Sequence, residues 1–274
     1  MVSVGLLHPG EMGATLGAVL RTRGTAVLWA SAGRSEATAR RATYAGLEDV
    51  GDVGELARRS DVLVSVCPPH AAVDVARAVS GFAGLFVDAN AVSPATTREI
   101  AAVVEAGGAR FVDGGIVGPP PRTAGTTRLY LSGPDAPAFA AVFEGSALET
   151  VVVSDSVGAA SATKMAYAAW TKGTAALLLA VRALARAEDV EPTLVEEWRR
   201  SIPELPEQSR RAARSAGTKG WRWVGEMEQI AETFAAAGLP PGFHEAARDV
   251  FARSPRLENE RDEAALERVL DSLA

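Results

Sequence analysis

The chain has 274 residues, enough for a large core and two domains. Its formal charge of −6 argues against a general nucleic-acid binder and against strong attraction to anionic membranes. No apolar run reaches spanning length and no basic region precedes Val2, so a cytoplasmic protein is expected; the single Cys67 excludes an internal disulfide.

Val2 to Leu7 is a short apolar run that reads as a buried strand. His8-Pro9-Gly10 breaks it, and Gly13 opens a small-residue helix. Strand, glycine turn and helix together form a phosphate-binding device. The turn brings backbone N–H groups to a pyrophosphate, and the helix N-terminus adds the positive end of its dipole. The G-x-G-x-x-G fingerprint is imperfect, because His8 stands at its first glycine. The competing reading is an ordinary strand–turn–helix whose glycines serve packing.

Thr25 to Trp29 is a second strand. Dinucleotide sites usually carry an acidic residue at its end, on the ribose 2′-hydroxyl. Here Ala30-Ser31-Ala32-Gly33-Arg34-Ser35 follows, with no carboxylate until Glu36. Arg34, helped by Ser31 and Ser35, suits a 2′-phosphate, which favours NADP over NAD. A solvated loop arginine is the alternative.

Ser35 to Tyr44 reads as a helix, residues 46–50 as a short edge segment, and Val53 to Arg59 as a helix. Asp61 to Val66 is a buried strand stopped by Cys67-Pro68-Pro69-His70. Prolines at a strand's carboxyl end make a stiff loop where open α/β sheets bind ligands. Cys67 reads as a buried structural thiol, and His70 as the start of a helix to Val79. Leu85 to Asp88 is a strand running into Asn90, which could hydrogen-bond cofactor or substrate. Ser93-Pro94 starts a helix to about Ala106.

Arg110 to Asp113 is the next strand, expected to end in a loop, Gly114-Gly115-Ile116-Val117-Gly118-Pro119-Pro120-Pro121. Such a loop is close-approaching at its glycines and rigid at its prolines. It suits a substrate carboxylate or hydroxyl, or is a turn between strands. Arg128 to Ser132 and Glu149 to Val153 are closing strands, with a helix from Ala136 to Phe143 between them. Alternating strand and helix signals predict a mostly parallel sheet with helices on both faces.

From Gly158 to Ala187 alanine dominates without proline, which predicts one long helix. The domain boundary is placed at residues 156/157. Downstream, helices are expected at Leu194–Ser201, Gln208–Gly217, Trp221–Gly238, Phe243–Arg253 and Asp262–Leu273. A small helical domain tied by one long helix often completes its core against a second subunit, so a homodimer through the C-terminal helices is expected. On the long helix, Ser161, Lys164, Tyr167, Ala168 and Thr171 share one face. Apolar surroundings would lower the pKa of Lys164 and fit it for proton transfer. A lysine with a packed stem and solvated head is the alternative.

Laid end to end, these pieces resemble the β-hydroxyacid dehydrogenase superfamily, which includes 6-phosphogluconate and 3-hydroxyisobutyrate dehydrogenases and, more distantly, imine reductases. The family's glycine turn ending in Met-Gly stands as His8-Pro9-Gly10-Glu11-Met12-Gly13. Its strand-end Ser-Pro segment is Asp88-Ala89-Asn90-Ala91-Val92-Ser93-Pro94, and its substrate loop is Asp113-Gly114-Gly115-Ile116-Val117-Gly118. Ala124-Gly125-Thr126 follows, and the family's catalytic lysine falls on Lys164.

The resemblance implies an α/β N-terminal Rossmann-like domain with a mostly parallel doubly wound sheet. An all-α C-terminal domain follows, joined by a long interdomain helix. It also implies hydride transfer between NAD(P) and a small hydroxy or oxo compound. His8, Pro9, Gly10, Glu11, Met12 and Gly13 would hold the pyrophosphate side, and Ser31 and Arg34 the adenosine ribose. Asn90 with Cys67, Pro68 and Pro69 would hold the nicotinamide end. Gly114, Gly115 and Ile116 would frame the substrate, with Lys164 as proton donor or acceptor. No metal is implied.

The C-terminal part looks like a less characterised branch, in which the NAD-binding domain precedes a domain of unknown function. The family asparagine four residues after the lysine is Ala168 here; Tyr167 or Glu226 could replace its polar contacts. Reduction of a cyclic imine is the competing activity, and a non-catalytic dinucleotide-binding protein the third reading.

Overall fold

A computed structural model describes residues 2–258 and 264–273. The chain divides into two compact units, Met1–Met165 and Ala166–Ala274. Within the first lie β1 (Ser3–Leu6), α1 (Glu11–Thr22), β2 (Ala26–Trp29), α2 (Glu36–Tyr44), β3 (Glu48–Asp49), α3 (Val53–Arg59) and β4 (Val62–Ser65). After a short 3-10 turn at Pro69–Ala71 come α4 (Ala72–Arg77), β5 (Leu85–Asp88), α5 (Pro94–Glu105), β6 (Arg110–Val117), β7 (Arg128–Ser132), α6 (Ala136–Ala141) and β8 (Glu149–Ser154). The long helix α7 (Ala159–Ala187) begins in this unit and runs into the second.

The strands form one sheet in the order β3-β2-β1-β4-β5-β6-β7-β8. Pairing is parallel from β3 through β6; β7 runs antiparallel to β6, and β8 parallel to β7. The chain steps outward from β1 in both directions, so a crevice opens beyond the carboxyl ends of β1 and β4. Doubly wound sheets bind ligands at this point.

Side chains alternate across the pleat, and both faces are buried. Val62, Val64, Leu85 and Val87 join a core that includes Leu16 and Leu20 of α1, Phe139 of α6 and Phe143 just beyond it. Leu63 and Phe86 face the other way, among Leu56, Ala76, Ile100 and Val104 of α3, α4 and α5. Hydroxyl and carboxylate caps start several helices. Ser35 accepts from the Thr38 amide, Asp52 from Glu55, and Ser93 from Thr96 with Pro94 at the first helical position.

The segment expected to form a loop after Asp113 is strand instead. β6 continues to Val117, and Gly114, Gly115 and Ile116 pair with Leu131, Tyr130 and Leu129 of β7. Its glycines answer a need for space rather than for a turn. A Cβ on Gly114 would lie 3.0 Å from the Asp88 carbonyl oxygen, and one on Gly115 would lie 2.8 Å from the Lys164 Cβ.

The second unit contains the rest of α7 with α8 (Glu191–Ser201), α9 (Leu205–Ala236), α10 (Gly242–Arg253) and α11 (Ala265–Leu273). The two helices expected over residues 208–238 are one, α9, which passes through Gly217 and Gly220 without a break. Gly217 admits a close neighbour, whereas a Cβ on Gly220 would lie at an ordinary 3.6 Å from Phe251 Cδ1. A Cβ on Gly217 would lie 2.4 Å from Leu257 Cδ1, and the Leu257 amide donates to the Gly217 carbonyl at 2.8 Å. At Gly217, close packing outweighs the roughly 1 kcal/mol that a helical glycine costs relative to alanine. Trp223 meets Phe251 edge-to-face at 5.0 Å. Glu191 bridges Arg182 and Arg186, and Arg182 also donates to Ser209. The expected start of the last helix, at 262–263, lies outside the described residues. Among the described residues, no helix is long and apolar enough to cross a membrane.

Candidate active site

The turn after β1 is built for close approach. A Cβ on Gly13 would lie 2.3 Å from the His8 carbonyl oxygen, so only glycine lets α1 fold back on the turn. Gly10, at the helix N-cap, has nothing within 4 Å of its Cβ position and makes no side-chain cap bond. The first amides of α1 are therefore open to an anion. Pro9 is buried, Met12 half-buried, and Glu11 exposed, with its carboxylate 3.8 Å from Arg122. His8 does not have a positive φ, so this turn never needed a glycine at its first position.

Arg34 lies against the same turn. Its Nη2 donates to the Leu7 carbonyl at 3.1 Å, while Arg34 Nε and His8 Nδ1 are both buried without a partner. Burial, helped by the Arg34 charge, lowers the His8 imidazole to about 4, so it is neutral at physiological pH. Ser31 lies at the end of β2 and its amide donates to Asp49 at 3.2 Å. Asp49 arrives from β3, in register with Trp29. Linear reading missed this carboxylate, because it is 18 residues from Ser31 in the chain.

Just beyond β5, Asn90 is 2 % exposed. Its Oδ1 accepts from the Cys67 amide at 2.6 Å, and its Nδ2 donates to Ser65 Oγ at 3.0 Å and to Asp88. The Asn90 side chain thus fixes the Cys67-Pro68-Pro69 loop rather than reaching into the crevice. Burial pushes the Cys67 thiol up to about 12, consistent with a structural thiol. Burial, then the neighbouring Asp113, raises the Asp88 carboxyl to about 8. Four donors converge on Asp113, whereas Asp88 accepts from Asn90 and its Oδ2 has no partner among the described residues.

Lys164 is half-buried in the second turn of α7. Gly115 leaves the room its Cβ occupies, and Gly114 leaves room for the Asp88–Ala89 backbone ahead of Asn90. Gly114, Gly115, Lys164 and the Asn90 segment therefore lie together where β5 ends beside the middle of β6; Ile116 is half-buried beyond them. Tyr167 belongs to the second unit and is 51 % exposed. Glu226, also in the second unit, forms an ion pair with Lys172, whose ammonium sits 5.7 Å from the Trp223 ring centre. Its carboxylate is thus already engaged within the helical unit.

Comparison with known proteins agrees with this geometry. Residues 3–154 match the NAD binding domain of 6-phosphogluconate dehydrogenase, and residues 185–254 match a domain of unknown function, DUF1932. An uncharacterized 28.5 kDa protein from the 7S RNA 5′ region of Methanothermus fervidus is 31 % identical over 183 residues, 66 % of this chain and 70 % of that protein. The solved structure of conserved protein MTH1747, of unknown function and described as similar to 3-hydroxyacid dehydrogenases, is 27 % identical. It covers 91 % of this chain and 96 % of its own, with a TM-score of 0.69. The 3-hydroxyisobutyrate dehydrogenase of Mycobacterium tuberculosis shares the fold, with a TM-score of 0.74 at 19 % identity, over 100 % of this chain and 99 % of that one.

Proposed function

Since the chain belongs to the family of the NAD binding domain of 6-phosphogluconate dehydrogenase, we propose that it moves a hydride between a nicotinamide and a small hydroxy or oxo compound. The observation that carries this reading is Lys164. It sits half-buried over Gly115 of β6, beside the end of β5 that leads to Asn90.

The residues present fit a dinucleotide. The uncapped glycine turn leaves helix amides open to a pyrophosphate, and two buried polar atoms, His8 Nδ1 and Arg34 Nε, face no protein partner. Gly10, Met12 and Gly13 would take the pyrophosphate, and the loop that Asn90 fixes would border the nicotinamide. When bound, the nicotinamide supplies or accepts the hydride. As a carbonyl carbon gains that electron pair, the Lys164 ammonium gives a proton to the carbonyl oxygen. In the reverse direction, the neutral amine takes the hydroxyl proton. Gly114 and Gly115 admit the Asp88–Ala89 backbone and Lys164 to this place, and with Ile116 their strand would border the substrate.

NADP is the favoured cofactor. Arg34 belongs to the β2–α2 turn, and it would exchange its bond to the Leu7 carbonyl for a charge-assisted bond to a 2′-phosphate. Asp49, beside Ser31, works against that phosphate, so the preference rests on the balance of the two.

Fluorescence titration with NADH and NADPH tests the cofactor, and a panel of small hydroxy acids and cyclic imines tests the chemistry. Tighter NADPH binding and turnover of hydroxy acids are expected. Equal affinity for the two cofactors would remove the role given to Arg34. Turnover of cyclic imines alone would move the reaction to C=N.

A further inference from the structure

Four hydrogen bonds meet on one fully buried carboxylate, that of Asp113. Its Oδ2 accepts from the amides of Gly158 and Ser161, each at 3.0 Å, and from Ser132 Oγ at 2.8 Å. Its Oδ1 accepts from Ser161 Oγ at 2.6 Å. Ser132 Oγ in turn accepts the Ala160 amide at 3.0 Å, and Thr97 Oγ1 lies 2.7 Å from Ser161 Oγ. Three donors that the start of α7 would otherwise leave unpaired are thus taken by β6 and β7. An anion here also meets the positive end of the helix dipole.

The geometry points to Asp113 as the positioning residue for Lys164, an inference that rests on the acid–base reading of that lysine. Asp113 and Gly115 stand at i and i+2 of β6, so they face the same side of the sheet. Asp113 holds the head of α7, and Gly115 leaves the slot into which the next turn fits. Lys164 is three residues beyond Ser161, about 4.5 Å further along the axis. The backbone under the lysine is therefore set by the strand that borders the substrate. Gly158, with φ of +102°, makes the bend that brings the helix head there; a side chain would press within 3.2 Å of Arg98 Nη2. Replacing this carboxylate with a neutral amide would alter both the hydrogen bonding at the head of α7 and the electrostatic surroundings of the lysine one turn on.

The chain has only three lysines, Lys164, Lys172 and Lys219, which makes the inference measurable without knowing the substrate. Reductive methylation of the intact protein with 13C-formaldehyde gives one dimethylammonium signal per lysine, and Lys164→Arg assigns the one of interest. In Asp113→Asn, the titration midpoint of Lys164 should fall by at least about half a pH unit. Lys172 should stay in place, and NADPH affinity should remain within about twofold. An unchanged Lys164 midpoint in the folded variant would overturn the inference, because a purely architectural cap would leave the ammonium unaffected.

Ser161→Ala keeps the carboxylate and removes its shortest bond, and it serves if the asparagine variant does not fold. It must move the Lys164 signal at fixed pH while leaving Lys172 in place; a stationary signal overturns the inference equally. Failure of the underlying reading is distinguishable. A Lys164 that responds to Asp113 yet is dispensable for turnover would refute the acid–base assignment alone.

Discussion

The side-chain amide of Asn90 donates to Asp88, a fully buried carboxyl whose second oxygen has no partner. Because burial raises Asp88 to about 8, the folded protein keeps a proton that the unfolded chain releases near pH 4. Stability from this group is full below pH 4 and declines as pH rises through 8, by up to about 1.4 kcal/mol per pH unit within that window. Asp88→Asn is isosteric with the protonated acid and should remove the decline. Urea unfolding at pH 5 and pH 8 checks this, with the variant the more stable at the higher pH. Parallel pH dependence in the two proteins would show that Asp88 is ionised when folded.

His8 occupies a turn position that requires no left-handed backbone. His8→Gly should therefore fold and still bind cofactor. Burial lowers the imidazole to about 4, so the native protein resists protonation that the unfolded chain accepts below about 6.5. That penalty grows as pH falls from 6.5 to 4, and the glycine variant should lose less stability across the same range. Thermal melts at pH 7 and pH 4.5, with and without NADPH, report both effects.

Two glycines separate stability from binding. Gly115→Ala would force a Cβ to within 2.8 Å of the Lys164 Cβ and 2.9 Å of the Ala160 carbonyl oxygen. Overpacking of this kind costs about 1–3 kcal/mol, visible in denaturant titration. Gly10→Ala has nothing within 4 Å and should leave stability near the native value. Its Cβ would stand where the pyrophosphate approaches, so NADPH binding should weaken at least about tenfold, near 1.4 kcal/mol.

The second unit leaves an apolar stripe on α7. Trp170, Leu177 and Leu184 recur every seven residues and are 74 %, 59 % and 63 % exposed. Such a stripe fits a partner helix. A homodimer is predicted by sedimentation, and Trp170→Glu should shift it to monomer. A native protein that stays monomeric at micromolar concentration would contradict this.

Much of the first unit was readable because its strands are short apolar runs with polar breaks, and because Asp52, Ser35 and Ser93 mark helix starts in the usual way. Val53–Arg59, Leu85–Asp88 and Arg128–Ser132 have the bounds that their residue patterns predict. Two misreadings share one cause. Gly114-Gly115 was expected in a loop and Gly217 at a helix end, yet both lie inside regular elements. Glycine relieves a steric contact as readily as it makes a turn, and contacts with Lys164 or Leu257 are invisible until the chain is folded. Asp113 and Asp49 act on partners far away in sequence, Ser161 and Ser31, which no local motif encodes.

Lys164→Met tests most directly whether Lys164 carries the proton for a nicotinamide hydride transfer. Turnover of the best substrate is followed by nicotinamide absorbance, and NADPH binding is titrated on the same sample. Turnover should fall by roughly a hundredfold or more with NADPH affinity unchanged. Near-native turnover in a variant that binds NADPH normally would contradict it.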